Sequence, residues 1–400
     1  MAVLGSGIFA KEGVCAPQSR DSSGIHHFLH WSCFSLPRPP TSAHLPAIAA
    51  LGNAVALKAV YSRSEKSAAG FASVAQKTLK LSELPGVYHD EDPSVSLDVL
   101  LARPDISAVI VVLPITTQPS IILKALGAGK HVLSEKPVAP DVAGGIALIK
   151  EYETKFKSKG LVWRVAENYE AEPGYQVAAQ AIKNAKIGKV TFYNARVVNF
   201  IDQDSKWYKT PWRTVPDYQG GFLLDGGVHT VAALRVMLPS PMKTLSSFAS
   251  LNKEWLAPHD TINAIVQSAD GAHGIVELTF ASPTPSRAEL AGNGITITGT
   301  DGWLSVNQAT VLDGDTSVRV FRITIRKLQK DKDGKEVGET VEVLEEKVAG
   351  IEKELESFLQ AIAGSNDELG SVQGALKDVA FIQAALTSNG SPIDLEKLVQ

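Results

Sequence analysis

Residues 2–10 read Ala-Val-Leu-Gly-Ser-Gly-Ile-Phe-Ala, a short apolar run closed by Gly5-x-Gly7-x-x-Ala10. A buried strand that ends in this spacing and opens a helix has one well-understood use. The first glycine permits the tight turn, and the second lets backbone approach a pyrophosphate. The small third residue allows close helix–strand packing. The helix then offers unpaired N–H groups to phosphate oxygens. Gly5, Gly7, Ile8, Phe9 and Ala10 are therefore candidate dinucleotide contacts. An ordinary strand–helix turn has similar spacing, so the motif needs support from the rest of the chain.

Working outward, the first half alternates apolar runs with helix-like segments, the pattern of βαβ units around a parallel sheet. Residues 54–61, 108–113, 131–134 and 161–166 continue the strand series. Ala108 to Leu113 (AVIVVL) is apolar without a break, as expected of a strand buried on both faces. Residues 64–75, 119–128 and 141–156 read as helices, with Asp141 as an N-cap. After about residue 168 the pattern becomes alternating, with runs at 261–266, 273–280, 295–298, 318–326 and 340–344. Asp270-Gly271, Asp301-Gly302 and Asp333-Gly334 supply hairpin turns. Ile351, Leu355, Phe358, Leu359 and Ile362 form one helical stripe stopped by Gly364, and a second helix runs from about Val372 to Leu386. The expected architecture is a Rossmann-like α/β domain over residues 1–168. An α+β domain with an open, largely antiparallel sheet follows over 169–400, its last helices packing back on the first domain. The free face of an open sheet must be buried, which predicts a homo-oligomer.

The tip of the second strand selects between cofactors. An Asp or Glu there reads the ribose 2′-hydroxyl of NAD. This chain has Ser62-Arg63-Ser64, a guanidinium and two hydroxyls, which suit a 2′-phosphate and favour NADP while leaving NAD possible. Arg63 follows Gly7 by 56 residues, far beyond the interval of about 20 expected. Residues 13–43 account for the excess; without them the interval is 25. Joining Lys11-Glu12 to His44-Leu45 also restores an apolar Leu45/Ile48/Ala49 helix face. The window holds Cys15 and Cys33, the only two cysteines, together with His26, His27 and His30. It reads as an insertion into the first cofactor helix, either native to the protein or untranslated sequence carried into the chain. A metal site is the other reading, but His27-x-x-His30-x-x-Cys33 lacks a standard zinc spacing.

Composition excludes several classes. The 400 residues are 44% hydrophobic and 20% charged, with 39 Lys+Arg against 43 Asp+Glu and a net charge of -4. That balance gives neither a nucleic-acid footprint nor an acidic tail. The longest strongly apolar stretch, residues 106–115, is half the ~20 residues of a membrane helix. No signal peptide is evident, and two cysteines cannot staple this length, so a cytoplasmic setting is expected.

Two further motifs carry chemistry. Ala128-Gly129-Lys130-His131-Val132-Leu133-Ser134-Glu135-Lys136-Pro137 puts Lys136 at the carboxyl end of a parallel strand, where open α/β sheets hold ligands. Gly220-Gly221-Phe222-Leu223-Leu224-Asp225-Gly226-Gly227-Val228-His229 places Asp225 and His229 four residues apart. On a helix they share a face, and imidazole can exchange a proton near neutrality. A helix-capping Asp and a packed His would leave the same spacing.

GSGIFA, AGKHVLSEKP, VAEN and GGFLLDGGVHTVA occur in the order seen in the glucose–fructose oxidoreductase / inositol dehydrogenase (Gfo/Idh/MocA) family, which the chain resembles over nearly all its length outside 13–43. The resemblance implies a nicotinamide-dependent oxidoreductase for sugars, polyols, diols or related carbonyl compounds, with Lys136, Asp225 and His229 as its catalytic set. It also implies that Pro114 and Thr116 line the nicotinamide side and that Glu135 and Asn168 lie near ribose or substrate. Trp212 and Arg213 would stand on the substrate side. Gln118 replaces the His of many relatives, so no role is carried over there. A different class, an NADP-binding sensor or scaffold without turnover, would keep the fold but has no need of all three reactive groups. Small molecules are the expected partners, with no metal, membrane or nucleic acid.

Overall fold

Ala2–Leu4 forms β1 in a computed structural model that describes residues 1–5, 44–285, 292–365 and 367–400. Gly7, Ile8, Phe9, Ala10 and the Cys/His window lie outside the described residues. Two compact units divide the chain, Met1–Ile106 and Ser107–Gln400.

In the first unit β1, β2 (Ala59–Tyr61) and β3 (Gly86–Tyr88) are parallel, with β2 in the middle. Every residue of β1 and β2 is buried, which explains their unbroken apolarity. β2 is shorter than its apolar run: Ala54 closes a 3₁₀ turn and residues 55–58 take no regular structure. In α1 (His44–Ala50) the buried stripe centres on His44, Leu45, Ala47 and Ile48 and turns the expected Ala49 to solvent. The helix α2 (Glu65–Leu79) is capped by the hydroxyl of Ser64, which accepts from Ser67 N at 3.3 Å. The short helix α3 (Leu97–Leu101) buries Leu97, Leu100 and Leu101.

The second unit holds three more parallel strands, β4 (Ala108–Val111), β5 (His131–Glu135) and β6 (Trp163–Ala166), with β5 central. The helices α4 (Gln118–Gly127) and α5 (Val142–Lys155) link them. Asp141 caps α5 as expected, accepting from Gly144 N at 2.7 Å. This α/β part is Rossmann-like. After α6 (Pro173–Lys183) comes β7 (Val190–Val198), then α7 (Pro211–Thr214) and α8 (Phe222–Met237). The remaining strands are β8 (Met242–Ser250), β9 (Thr261–Ser268), β10 (His273–Thr279), β11 (Gly294–Gly299), β12 (Gly302–Asp313), β13 (Thr316–Lys330) and β14 (Glu336–Lys347). The helices α9 (Gly350–Ile362) and α10 (Val372–Thr387), the strand β15 (Ile393–Asp394) and the short α11 (Leu395–Leu398) complete the chain.

β7 to β15 make one nine-stranded sheet, order β14-β13-β12-β11-β7-β10-β9-β8-β15. Only β7 and β10 run parallel; the other neighbours are antiparallel. Gly271 (φ +90°) and Gly334 (φ +78°) take the left-handed turn conformation expected of their Asp-Gly pairs. One face of the sheet is covered by helices; the other leaves Phe192, Ile265 and Ile275 more than half exposed, with Ile265 directly opposite Ile275.

The helix α8 is buried along most of its length, packed on α10 and α6. Its glycines make that possible. A Cβ on Gly226 would meet the Phe280 ring at 2.6 Å, and one on Gly227 would meet Ile382 at 3.1 Å. Each glycine costs about 1 kcal/mol of helix propensity, offset here by close packing that fixes the residues on either side. Arg235 on α8 holds Asp378 of α10 at 2.9 Å and Glu170 of the β6–α6 segment at 3.1 Å. The N-terminus of α9 is held by Glu172, whose carboxylate accepts from Ala349 N and Gly350 N, each at 3.0 Å. No described helix is long and apolar enough to cross a membrane.

Candidate active site

Three pieces of chain in the second unit converge. Glu135 and Lys136 stand at the carboxyl end of β5, and Glu167, Asn168 and Tyr169 follow β6. The first turns of α8 carry Asp225 and His229, one helical turn apart. Gly220 and Gly221 take positive φ (72° and 52°) to start α8 at this point.

The Lys136 ammonium donates to the Asp225 main-chain oxygen at 2.5 Å and to Oδ1 at 2.9 Å. On the other side, Arg213 of α7 donates from Nε to Asp225 Oδ2 at 2.7 Å. All three residues are buried. Burial alone would raise the Asp225 pKa; Arg213 first and Lys136 second outweigh it and hold the carboxyl well below the usual carboxylate range. The Arg213 guanidinium lies over the Trp212 ring, 4.0 Å from its centroid.

His229 belongs to a second pair. Its Nδ1 lies 2.6 Å from Oε1 of Glu167, which is 2% exposed. Tyr169 stacks on the imidazole at 4.8 Å and 26°, and its main-chain N–H donates to the same Glu167 oxygen at 3.1 Å. Burial pushes the Glu167 pKa up, but the charges of His229 and Lys136 and the hydrogen bonds prevail and lower it. Lys136, Asp225 and His229 are thus brought into one neighbourhood, with Glu167 acted on by both Lys136 and His229.

The other expected residues are placed as follows. Asn168 is half-buried beside Glu167, and Glu135 is buried next to Lys136. Pro114 is half-buried, while the exposed Thr116 donates its hydroxyl to Asp217 at 2.9 Å. Thr116, Tyr208, Asp217, Tyr218 and Trp255 line a cleft of about 760 Å³ that neither Lys136 nor His229 lines. In the first unit, Gly5 ends β1 at φ +111°, the left-handed backbone its turn requires. Ser62 is half-buried and Arg63 exposed. Asp90 stands beside that tip, donating its N–H to the Arg63 main-chain oxygen at 3.2 Å and accepting from the Tyr61 hydroxyl at 2.7 Å.

These features fit a dinucleotide. Gly5 has the conformation for a close backbone approach, and the Ser62–Ser64 tip offers an exposed guanidinium. At the β4–α4 turn, the buried Gln118 carboxamide has no hydrogen-bond partner on Nε2 or Oε1 among the described residues, a donor and an acceptor that a bound group could use.

Residues 40–161 match the oxidoreductase family's NAD-binding Rossmann fold, and residues 179–395 match its C-terminal alpha/beta domain. The chain belongs to the Gfo/Idh/MocA family. It is 34% identical over 394 residues to Dehydrogenase FPY6 of Fusarium mangiferae, covering 97% of this chain and 95% of that protein. It is 26% identical over 199 residues to the scyllo-inositol 2-dehydrogenase (NAD(+)) of Bacillus subtilis, 48% of this chain and 55% of that one. The crystal structure of an oxidoreductase from Thermotoga maritima superposes with a TM-score of 0.73 at 27% identity, covering 99% of this chain and 98% of the other. As a Gfo/Idh/MocA protein this chain is an NAD(P)-dependent oxidoreductase acting on CH–OH or carbonyl groups.

Sequence reasoning missed three features of the site: Glu167, Tyr169 and the Arg213–Asp225 pair. Glu167 had a signal, since it is an acid directly after an apolar strand at the ligand-binding end of a parallel sheet.

Proposed function

We propose that the chain catalyses reversible hydride transfer between NADP and a hydroxyl- or carbonyl-bearing carbon of a sugar, polyol, diol or related compound, with Lys136, Asp225 and His229 as its catalytic residues. The observation that carries this reading is the convergence of the Lys136–Asp225 and His229–Glu167 pairs in one neighbourhood. Bound NADP supplies the hydride acceptor or donor, a chemistry no side chain offers. His229, a fifth exposed through its side chain, exchanges the proton with the substrate oxygen. Lys136 hydrogen-bonds that oxygen and stabilises negative charge developing there. Asp225 holds Lys136 in place, and Arg213 keeps Asp225 ionised. Trp212 and the Thr116–Trp255 cleft serve the substrate side, with Pro114 and Thr116 lining the nicotinamide side and Glu135 and Asn168 near ribose or substrate.

Ser62, Arg63 and Ser64 support NADP, while Asp90 beside them favours a second reading in which NAD binds through its ribose hydroxyls. Fluorescence titration separates the two. NADPH should bind at least tenfold more tightly than NADH, and Arg63→Ala should remove that preference. Equal affinities would leave NAD as the cofactor. The exposed Phe192, Ile265 and Ile275 support a homo-oligomer formed through the open sheet, and scarce cysteine supports a cytoplasmic setting. Turnover of a sugar and polyol panel with both cofactors tests the activity. Lys136→Met and His229→Ala should each lower kcat on the order of 10²–10⁴-fold, and near-normal rates in both would discard this mechanism.

A further inference from the structure

The carboxylate that serves the reactive imidazole is not the one that shares its helix. We propose that Glu167 is the positioning residue of His229: it fixes the proton on Nδ1, leaves Nε2 to face the substrate and stabilises the imidazolium that forms there. This rests on the reading of His229 as acid/base. Asp225 is committed elsewhere, with both carboxylate oxygens engaged by Lys136 and Arg213.

The argument is one of hydrogen-bond inventory. An ionised carboxylate only accepts, so a 2.6 Å contact from Nδ1 to Glu167 Oε1 requires the proton to be on Nδ1. The neutral ring then has its lone pair at Nε2, the form a general base needs. Tyr169 adds the orientation by stacking on the ring, so carboxylate and platform come from the same turn after β6. The groups that act on Glu167, or feel it, are His229, Lys136, Tyr169, Tyr175, Glu354 and Asp378. Burial, with the surrounding carboxylates, pushes Glu354 far up. That direction disfavours a second negative charge beside an ionised Glu167. In the oxidising direction Nε2 takes the substrate O–H proton, and the hydride would be accepted by the bound nicotinamide cofactor. The resulting positive ring lies against the buried Glu167 charge, where low dielectric makes the attraction strong. The reverse direction returns the same proton from Nε2 to the carbonyl oxygen.

The test has a spectroscopic arm and a kinetic arm. In full-length protein labelled with ¹⁵N-histidine, with the His229 signal assigned from His229→Gln, the neutral ring should carry its proton on Nδ1. Asp225→Asn should leave that tautomer in place. A neutral ring protonated on Nε2 in the wild type overturns the proposal without any activity measurement. Glu167→Gln should lower kcat on the order of 10²-fold or more with KM little changed. Unchanged kcat, with wild-type turnover intact, overturns the proposal alone. A wild type without turnover on any substrate instead overturns the proposed function, and the tautomer still decides the pairing.

Discussion

Arg213→Met isolates the charge balance around Asp225. The carboxylate is 7% exposed and sits between Arg213 and Lys136, with the arginine itself 5% exposed. Methionine keeps an unbranched stem on the Trp212 ring but removes the charge, leaving Lys136 as the cation in direct contact among the described residues. Breaking a buried pair by deleting one partner costs about 3–5 kcal/mol. The remaining ammonium puts this case at the low end, about 3 kcal/mol. For a unit of this size that corresponds to a fall in Tm of roughly 5 °C. Thermal unfolding followed by tryptophan fluorescence reads it, because Trp207 and Trp212 both lie against Arg213. The double variant Arg213→Met/Asp225→Asn removes the stranded charge while keeping an oxygen acceptor for Lys136, and should recover about half of the loss or more. A fall under 2 °C, or a double variant no better than the single one, would refute the view that Arg213 is what keeps Asp225 ionised.

Other expectations concern stability and assembly. Burial raises the Glu172 pKa to about 7, against the lowering effect of its bonds to Ala349 and Gly350. Because the folded-state value lies above the ordinary one of 4.5, its stabilising contribution is complete below that pH and is lost as pH rises through 7. Relative to Glu172→Gln, the wild type should lose about 3 kcal/mol between pH 4.5 and 8; parallel Tm–pH curves would contradict this. Gly226→Ala should destabilise by about 1–3 kcal/mol, since the added methyl meets Phe280 at 2.6 Å, and should lower kcat with it; a neutral effect in thermal unfolding would show that α8 has slack beside Asp225. Ile265→Asp on the open sheet face should yield a monomer by sedimentation at micromolar concentration, and an unchanged mass would place any oligomer contact elsewhere.

The elements legible in the sequence are those whose local chemistry agrees with their packing. Asp141 capping α5, the Asp-Gly turns at 271 and 334, and the α9 stripe all belong to this group. β8 was not legible because its pattern inverts at its centre: Ser247 is 1% exposed and Phe248 65%, although Leu245 on the inner face is buried. β7 carries an exposed Phe192 beside a buried Tyr193 and shows no alternation for the same reason. A sheet with an apolar outer face blurs the period that would reveal it. The edge strand β3 has only three residues, too few for any period.

The site was legible where one helix or one strand end carries it. The Asp225/His229 spacing and the position of Lys136 follow from local geometry. The partners do not, because they depend on which loops meet: Glu167 reaches His229 across 62 residues of sequence and Lys136 reaches Asp225 across 89. The i,i+4 spacing invites pairing Asp225 with His229, and the two cations that flank Asp225 prevent it.

The most direct measurement is label transfer. Full-length protein is incubated with NADPH deuterated at C4 and a panel of sugar- and cyclitol-derived ketones, and the products are analysed by mass spectrometry. The account predicts deuterium on the carbinol carbon of a product at wild-type rates, and a loss on the order of 10²–10⁴-fold in Lys136→Met and His229→Ala. Product formed without the label, or label transfer undiminished in both variants, would contradict it.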